Sequence, residues 1–259
     1  MLAYKSSGHG IPLVLIHAFP LNSSMWKRQI NNLEQYGRVI ALDLPGFGQS
    51  PSEANPSIAK MAQEVARLLS ALNVKESVVI AGLSMGGYVA LEFFRQFPER
   101  VRGLGLFSTR AGADTPEARE KRLKTAEEIP HDGLETYAKK VLPNLVGKTT
   151  LESNPELIRE IAGMIYSNTR EGVAAALLAM AQRRDSTDLL GSIKCPTLII
   201  AGEQDTLIPF SESRMMHGQI VGSQFQVLPK AGHLINLEQP VAFQKVFEKF
   251  LTENLLVSL

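Results

Sequence analysis

Short, β-branched apolar runs recur along this chain with helix-length segments between them, and that alternation admits few architectures. "PLVLIHAF" (residues 12–19), "GRVIALDLPG" (37–46), "ESVVIAG" (76–82), "VRGLGLFS" (101–108) and "CPTLIIAG" (195–202) each read as a buried strand bounded by turn residues. "SQFQVLPKAGH" (223–233) adds one more. Between two of these runs, Ile58, Met61, Ala62, Val65, Leu68, Leu69 and Leu72 share one face of a helix that Ser57 is placed to cap after Pro56. Residues 240–251 repeat the pattern, with Val241, Phe243, Val246, Phe247, Phe250 and Leu251 on a broad face. Strands that are apolar on both faces and alternate with helices belong to a parallel sheet covered on both sides. The fold class is α/β.

The alternation stops between about residues 110 and 184. Four helical patterns follow one another there, split by Pro130, Pro143, Asn154-Pro155 and Asn168, with no strand signal. Residues 111–184 are therefore expected to form an all-helical cap inserted into a discontinuous core, residues 1–110 and 185–259. A chain of 259 residues with 44% hydrophobic content can build such a core. Lysine and arginine number 27 against 26 aspartates and glutamates, a net charge of +1 that points to neither nucleic acid nor an acidic membrane as partner. The single cysteine, Cys195, cannot form an internal disulfide and reads as a small buried hydrophobe. The first residues, "MLAYKSSGHG", have no apolar segment behind a basic start, and no apolar run approaches the roughly 20 residues that cross a bilayer. The expected location is cytoplasmic, without a membrane partner.

One segment carries chemistry. Gly82-Leu83-Ser84-Met85-Gly86 fits G-x-S-x-G, a weak signal alone, but "SVVIA" before it is strand-like and "YVALEFFRQF" after it is helix-like. A sharp strand-to-helix turn strains the backbone at the serine and crowds positions two residues away, which Gly82 and Gly86 relieve. Gly87 then lets the new helix pack closely. The turn holds Ser84 out as a nucleophile.

A serine hydroxyl needs a base, and the base an orienting acid. Of the five histidines, His9 lies between glycines in a turn, and His131 and His217 sit in charged surroundings. His17 reads as a structural residue of its loop. His233 follows the last strand at the sheet edge from which Ser84 also emerges, where ligands bind in open α/β sheets. Asp205 lies just past the strand that starts near Thr197. Glu203 and Asp114 compete for the acid role, and Asp205 is preferred because its loop faces His233. A developing oxyanion needs preset donors, here the backbone N–H groups of Met85, at a helix N-terminus, and of Phe19, in the loop after "LIH".

These segments together resemble the α/β-hydrolase fold over nearly the whole length. "LIHAFP" is similar to the family's H-G-x-P loop with Ala18 in place of glycine, and "LDLPGFGQS" to its D-x-x-G-x-G-x-S turn. "GLSMGG" resembles its nucleophile elbow, "AGEQDTLIP" its acid loop and "GHLINLEQP" its histidine loop. The resemblance is strongest to small esterases, enol-lactonases and perhydrolases. It implies a Ser84-Asp205-His233 triad, an oxyanion hole at Phe19 and Met85, and hydrolysis of a small-molecule ester with water, without metal or cofactor. Family dehalogenases carry aspartate where this chain has Ser84, which disfavours halide displacement and epoxide hydrolysis. Phe19 stands where perhydrolases often have Trp. Lactone, peracid and carbon–carbon bond chemistry, or ligand binding with little turnover, stay open beside ester hydrolysis. A helical roof is expected to enclose an apolar slot for short-to-medium acyl chains, and the near-neutral net charge favours uncharged esters. Leu142, Leu145, Ile161, Met164, Leu177, Met180, Tyr137, Tyr166, Trp26 and Met215 are candidates either to line that slot or to pack.

Overall fold

The computed structural model describes residues 1–53 and 55–254. Seven strands form one sheet: β1 (Tyr4–Ser7), β2 (Pro12–Ile16), β3 (Arg38–Leu42), β4 (Val78–Leu83), β5 (Val101–Phe107), β6 (Thr197–Gly202) and β7 (Gln224–Leu228). Their order across the sheet is β1-β3-β2-β4-β5-β6-β7, and only β1, against β3, runs antiparallel. Each strand expected from an apolar run is present. β1 was not expected: its residues, Tyr-Lys-Ser-Ser, are mostly exposed, and main-chain pairing with β3 makes it a strand without an apolar signal.

The α-helices among the described residues are α1 (Lys27–Leu33), α2 (Ile58–Ala71), α3 (Met85–Gln96), α4 (Pro116–Leu145), α5 (Lys148–Ser153), α6 (Pro155–Tyr166), α7 (Arg170–Ala181), α8 (Phe210–Gln219), α9 (Ile235–Glu238) and α10 (Pro240–Asn254). Ser57 caps α2 by accepting from the Lys60 N–H at 3.1 Å, a contact of the kind that contributes about 1 kcal/mol. Helix α10 buries Phe243, Phe247, Phe250 and Leu251, but Val241 points to solvent, because it falls on the side of the helix opposite Phe243 and Phe250. Phe107 at the end of β5 meets Phe243 and Phe247 at ring-centroid distances of 5.0 and 5.4 Å, and Trp26 packs on both Phe107 and Phe243. That aromatic cluster fixes α10 against the sheet.

Strand register aligns the functional edge. Ile16 sits opposite Gly82, Leu83 opposite Phe107, Phe107 opposite Ile200 and Gly202 opposite Leu228. The segments after β2, β4, β5, β6 and β7 therefore leave from one side. The chain passes from β2 outward to β3 and then returns to β4 on the other side of β2, so the strand order reverses there, the place where open α/β sheets form a binding crevice.

Helices α4 to α7 occupy the segment without strands. Breaks were expected at Pro130 and Pro143. Instead α4 stays helical through both prolines and breaks at Gly133, whose φ of 79° and ψ of 165° interrupt the helix one turn after Pro130. Pro143 falls in the last turn, where the helix ends at Leu145 without further kinking. The short α5 was not expected. The Asn168 side chain ties this layer to the core, donating to the Pro20 carbonyl and accepting from the Gly48 N–H, both at 2.8 Å. Gly172, in the first turn of α7, lies against Gly46 so closely that neither has room for a Cβ. No helix among the described residues is long and apolar enough to cross a membrane.

Candidate active site

Ser84 sits between β4 and α3 with φ 56° and ψ −114°, a conformation that costs a non-glycine residue about 1–3 kcal/mol. Its surroundings hold it there. The Ser84 N–H donates to the Phe107 carbonyl at 2.9 Å, and its own carbonyl accepts from the Gly87 N–H at 2.9 Å and the buried Thr109 hydroxyl at 2.8 Å. A Cβ on Gly82 would overlap the Gly86 carbonyl, and one on Gly86 would overlap the carbonyl of Ile16. At Gly87 a side chain would strike Thr109. The three glycines are thus required by close backbone approach.

Asp205 follows β6 and is buried. Its Oδ1 accepts from the N–H groups of Leu207 (2.9 Å) and Ile208 (3.0 Å), an Asx-type turn, while Oδ2 meets His233 Nδ1 at 2.8 Å. A carboxylate on Nδ1 fixes the tautomer with the proton there, leaving Nε2 as the basic nitrogen. Ser84 and His233 both line one cavity of about 690 Å³, together with Phe19, Tyr88 and Tyr137. Among the described residues, the N–H groups of Phe19 and Met85 donate to no group of the chain. Met85 opens α3, whose N-terminal dipole favours negative charge. The five residues singled out from the sequence therefore lie at one sheet edge.

The competing acids have other work. Asp114 is held by Arg110, Arg122 and Arg183 at 2.7–2.8 Å, with its side chain only 1% exposed. Burial opposes its ionisation, but Arg122 and Arg183 outweigh burial and hold the carboxyl below the usual range. Glu203 accepts from the Lys230 N–H at 3.0 Å on the exposed side of its loop. His17 is structural: Nε2 accepts from the Leu44 N–H at 3.0 Å and Nδ1 donates to the Ala18 carbonyl at 3.0 Å. Burial lowers its pKa and keeps it neutral.

Sequence reasoning missed Glu238. Its Oε1 accepts from the N–H groups of Gly232 (3.0 Å) and Leu234 (3.2 Å), on either side of His233. Its Oε2 accepts from the Gly147 N–H (2.8 Å) and the Thr150 hydroxyl (2.7 Å), so one carboxylate joins the histidine loop to the start of α5. Arg110 and Arg122 were also missed as cavity-wall residues, although Arg110 lies three positions beyond β5, at the same edge as the other loops. Of the apolar candidates, Leu145, Leu177, Met180 and Tyr137 line the cavity. Leu142, Ile161, Met164 and Trp26 are buried away from it, Met215 packs against the core, and Tyr166 is exposed. Among the described residues no group of three or more His, Cys, Asp or Glu side chains is arranged to hold a metal ion.

A strained serine on a strand-to-helix turn, an aspartate-held histidine on the same cavity and a mostly parallel sheet define a hydrolase of the α/β-hydrolase fold. Residues 11–240 match the model of the alpha/beta hydrolase fold family, and the chain belongs to that family. It is similar to a thermophilic esterase from Thermogutta terrifontis, solved with malate bound, at 42% identity and a TM-score of 0.95, over 97% of this chain and 93% of that one. The enol-lactonase from Burkholderia xenovorans LB400 aligns at 26% identity and a TM-score of 0.89, over 97% and 96% of the two chains. By sequence, 3-oxoadipate enol-lactonase 2 of Acinetobacter baylyi is 29% identical over 91% of this chain and 86% of its own. The chain is an enzyme of the ester-bond-hydrolysing class.

Proposed function

We propose that this enzyme cleaves carboxylic esters of short-to-medium acyl chains through an acyl-enzyme. Ser84 Oγ attacks the ester carbonyl while His233 Nε2 takes its proton. Asp205 keeps the imidazole in that tautomer and stabilises the cation that forms. The Phe19 and Met85 N–H groups donate to the oxyanion, in a buried setting where such donors are strongest. His233 returns the proton to the leaving alkoxide, then activates a water that releases the acid. Residues 111–184 serve as a cap over this site, and no metal or organic cofactor takes part.

The observation that carries this reading is the 2.8 Å Asp205–His233 pair on a cavity that Ser84 also lines. Lactones are internal esters and suit the same steps, a second reading favoured by the similarity to enol-lactonases. Ser84→Ala is expected to lower kcat/KM on p-nitrophenyl esters by about 10⁴-fold or more and to abolish labelling by a fluorophosphonate probe. Retention of more than about a tenth of wild-type activity would overturn the assignment.

A further inference from the structure

The proposed chemistry leaves one charged feature of the cavity unused. Asp114 Oδ1 meets Arg110 Nη2 and Arg183 Nη1, each at 2.8 Å, and Oδ2 meets Arg122 Nε at 2.7 Å. Three guanidiniums share one carboxylate, so the cluster carries two positive charges in excess. Other carboxylates offset this excess only in part, Asp185 by acting on Arg183 at the inner end of the cluster. Asp185 accepts from the Ala113 and Thr187 N–H groups, and Asp132 and Glu128 face Lys140 at 3.3 and 3.8 Å. Glu212 acts on Arg110 only at a distance. A wall of such excess charge, part-buried, attracts an anion more strongly than the same charges in open water.

The arginines divide by role. Arg183 is internal: it donates to the Met180 and Gly112 carbonyls and lies 4.2 Å over the Tyr88 ring. Arg110 and Arg122 line the same cavity as Ser84 and His233, with side chains 20% and 23% exposed. Their donors are under-used. Arg110 Nε is buried without a partner, and Arg122 Nη1 reaches only the Met180 sulfur at 3.6 Å, a weak acceptor. Asp114 anchors both side chains, so an incoming group would find two guanidiniums already oriented, with little rotamer freedom left to lose.

We propose that the natural substrate is an ester or lactone bearing a free carboxylate, bound by Arg110 and Arg122 while its scissile carbonyl lies at Ser84. Planar guanidinium forks match a carboxylate's two oxygens, and the apolar wall of Leu145, Leu177 and Met180 suits a short methylene chain between the two groups. This assignment rests on the serine-hydrolase reading and adds substrate class to it. It departs from the uncharged esters favoured by the overall charge, since net charge does not describe the field inside one cavity.

The test compares mono-p-nitrophenyl adipate with p-nitrophenyl hexanoate, which match in chain length and differ by one carboxylate. Wild-type kcat/KM is expected to favour the charged ester by roughly tenfold or more, chiefly through KM, with adipate a competitive inhibitor. The preference should shrink as ionic strength rises. In Arg122→Gln the ratio of the two kcat/KM values should fall to near one, and Arg122→Lys should restore part of it. Equal or better use of the hexanoate ester by wild-type enzyme would overturn the proposal, and needs no variant to fold. Ser84→Ala run on both esters separates the two levels. If it abolishes both activities and wild type shows no charge preference, only the carboxylate assignment fails; if it leaves them intact, the serine mechanism fails.

Discussion

Two buried aspartates near one sheet edge are set by their neighbours to opposite tasks. Asp205 spends one oxygen on two backbone N–H groups and presents the other to His233, whereas Asp114 spends both on arginines. Asp205→Asn should stay folded by circular dichroism yet lose on the order of 10³–10⁴-fold in kcat, because the amide favours the wrong histidine tautomer. Asp114→Asn should act first on stability. It leaves three arginines crowded without their counter-charge, at a cost of about 3–5 kcal/mol of stability by chemical denaturation. pH adds an independent check. The Asp114 carboxyl ionises below its ordinary value of 3.8, so on acidification the unfolded chain takes up the proton first. Its contribution is full above that value and drains away as pH falls through the lower, folded one. The acid limb of a stability-versus-pH curve should therefore be flatter in Asp114→Asn than in wild type.

At the scale of elements, the histidine loop and the helix α5 are joined by Glu238, which accepts four hydrogen bonds across a sequence separation of up to 91 residues. Glu238→Gln keeps the shape but offers one acceptor oxygen in place of two, and sets an N–H₂ against donors. We expect a loss of about 2 kcal/mol in stability and a fall in kcat larger than any rise in KM, since the contacts flank His233 rather than the cavity. An unchanged kcat would remove the positioning role. Glu238 marks where legibility ended. The strands β2 to β7, the elbow glycines and the edge positions of Ser84, Asp205 and His233 could be read because each rests on local pattern: apolar runs, backbone crowding and strand ends. β1 could not, since a polar edge strand exists only through its partner. Gly133 was passed over because proline is the stronger helix breaker in isolation, yet here the helix runs on past Pro130 and turns at Gly133, the residue that can take the positive φ. Contacts between segments far apart in sequence, such as Glu238 to Thr150 or Arg183 to Asp114, leave no trace in a single chain's text.

For the whole molecule, the sheet supplies the cavity's floor and the helices between β5 and β6 supply much of its wall. Apolar side chains line the interior, while Lys121, Lys124, Asp132 and Lys140 stand exposed at its margin. A p-nitrophenyl ester series should gain about 0.8 kcal/mol per methylene while the apolar space fills, then decline as longer chains meet the charged margin. Turnover that keeps rising to palmitate would rule out that shape. The way the helices are inserted has a further effect. The Ser186 N–H donates to the Ala111 carbonyl at 3.0 Å, and Arg183 Nη2 to that of Gly112 at 2.8 Å, so the polypeptide departs from the sheet and rejoins it through a single doorway. Beyond that doorway the segment is joined to the sheet by the chain at one place only, and elsewhere it rests on a few footholds such as Asn168 and Glu238. Changes of length or composition between those footholds would re-tailor which molecules are admitted while leaving the strand ends that carry Ser84, Asp205 and His233 in place.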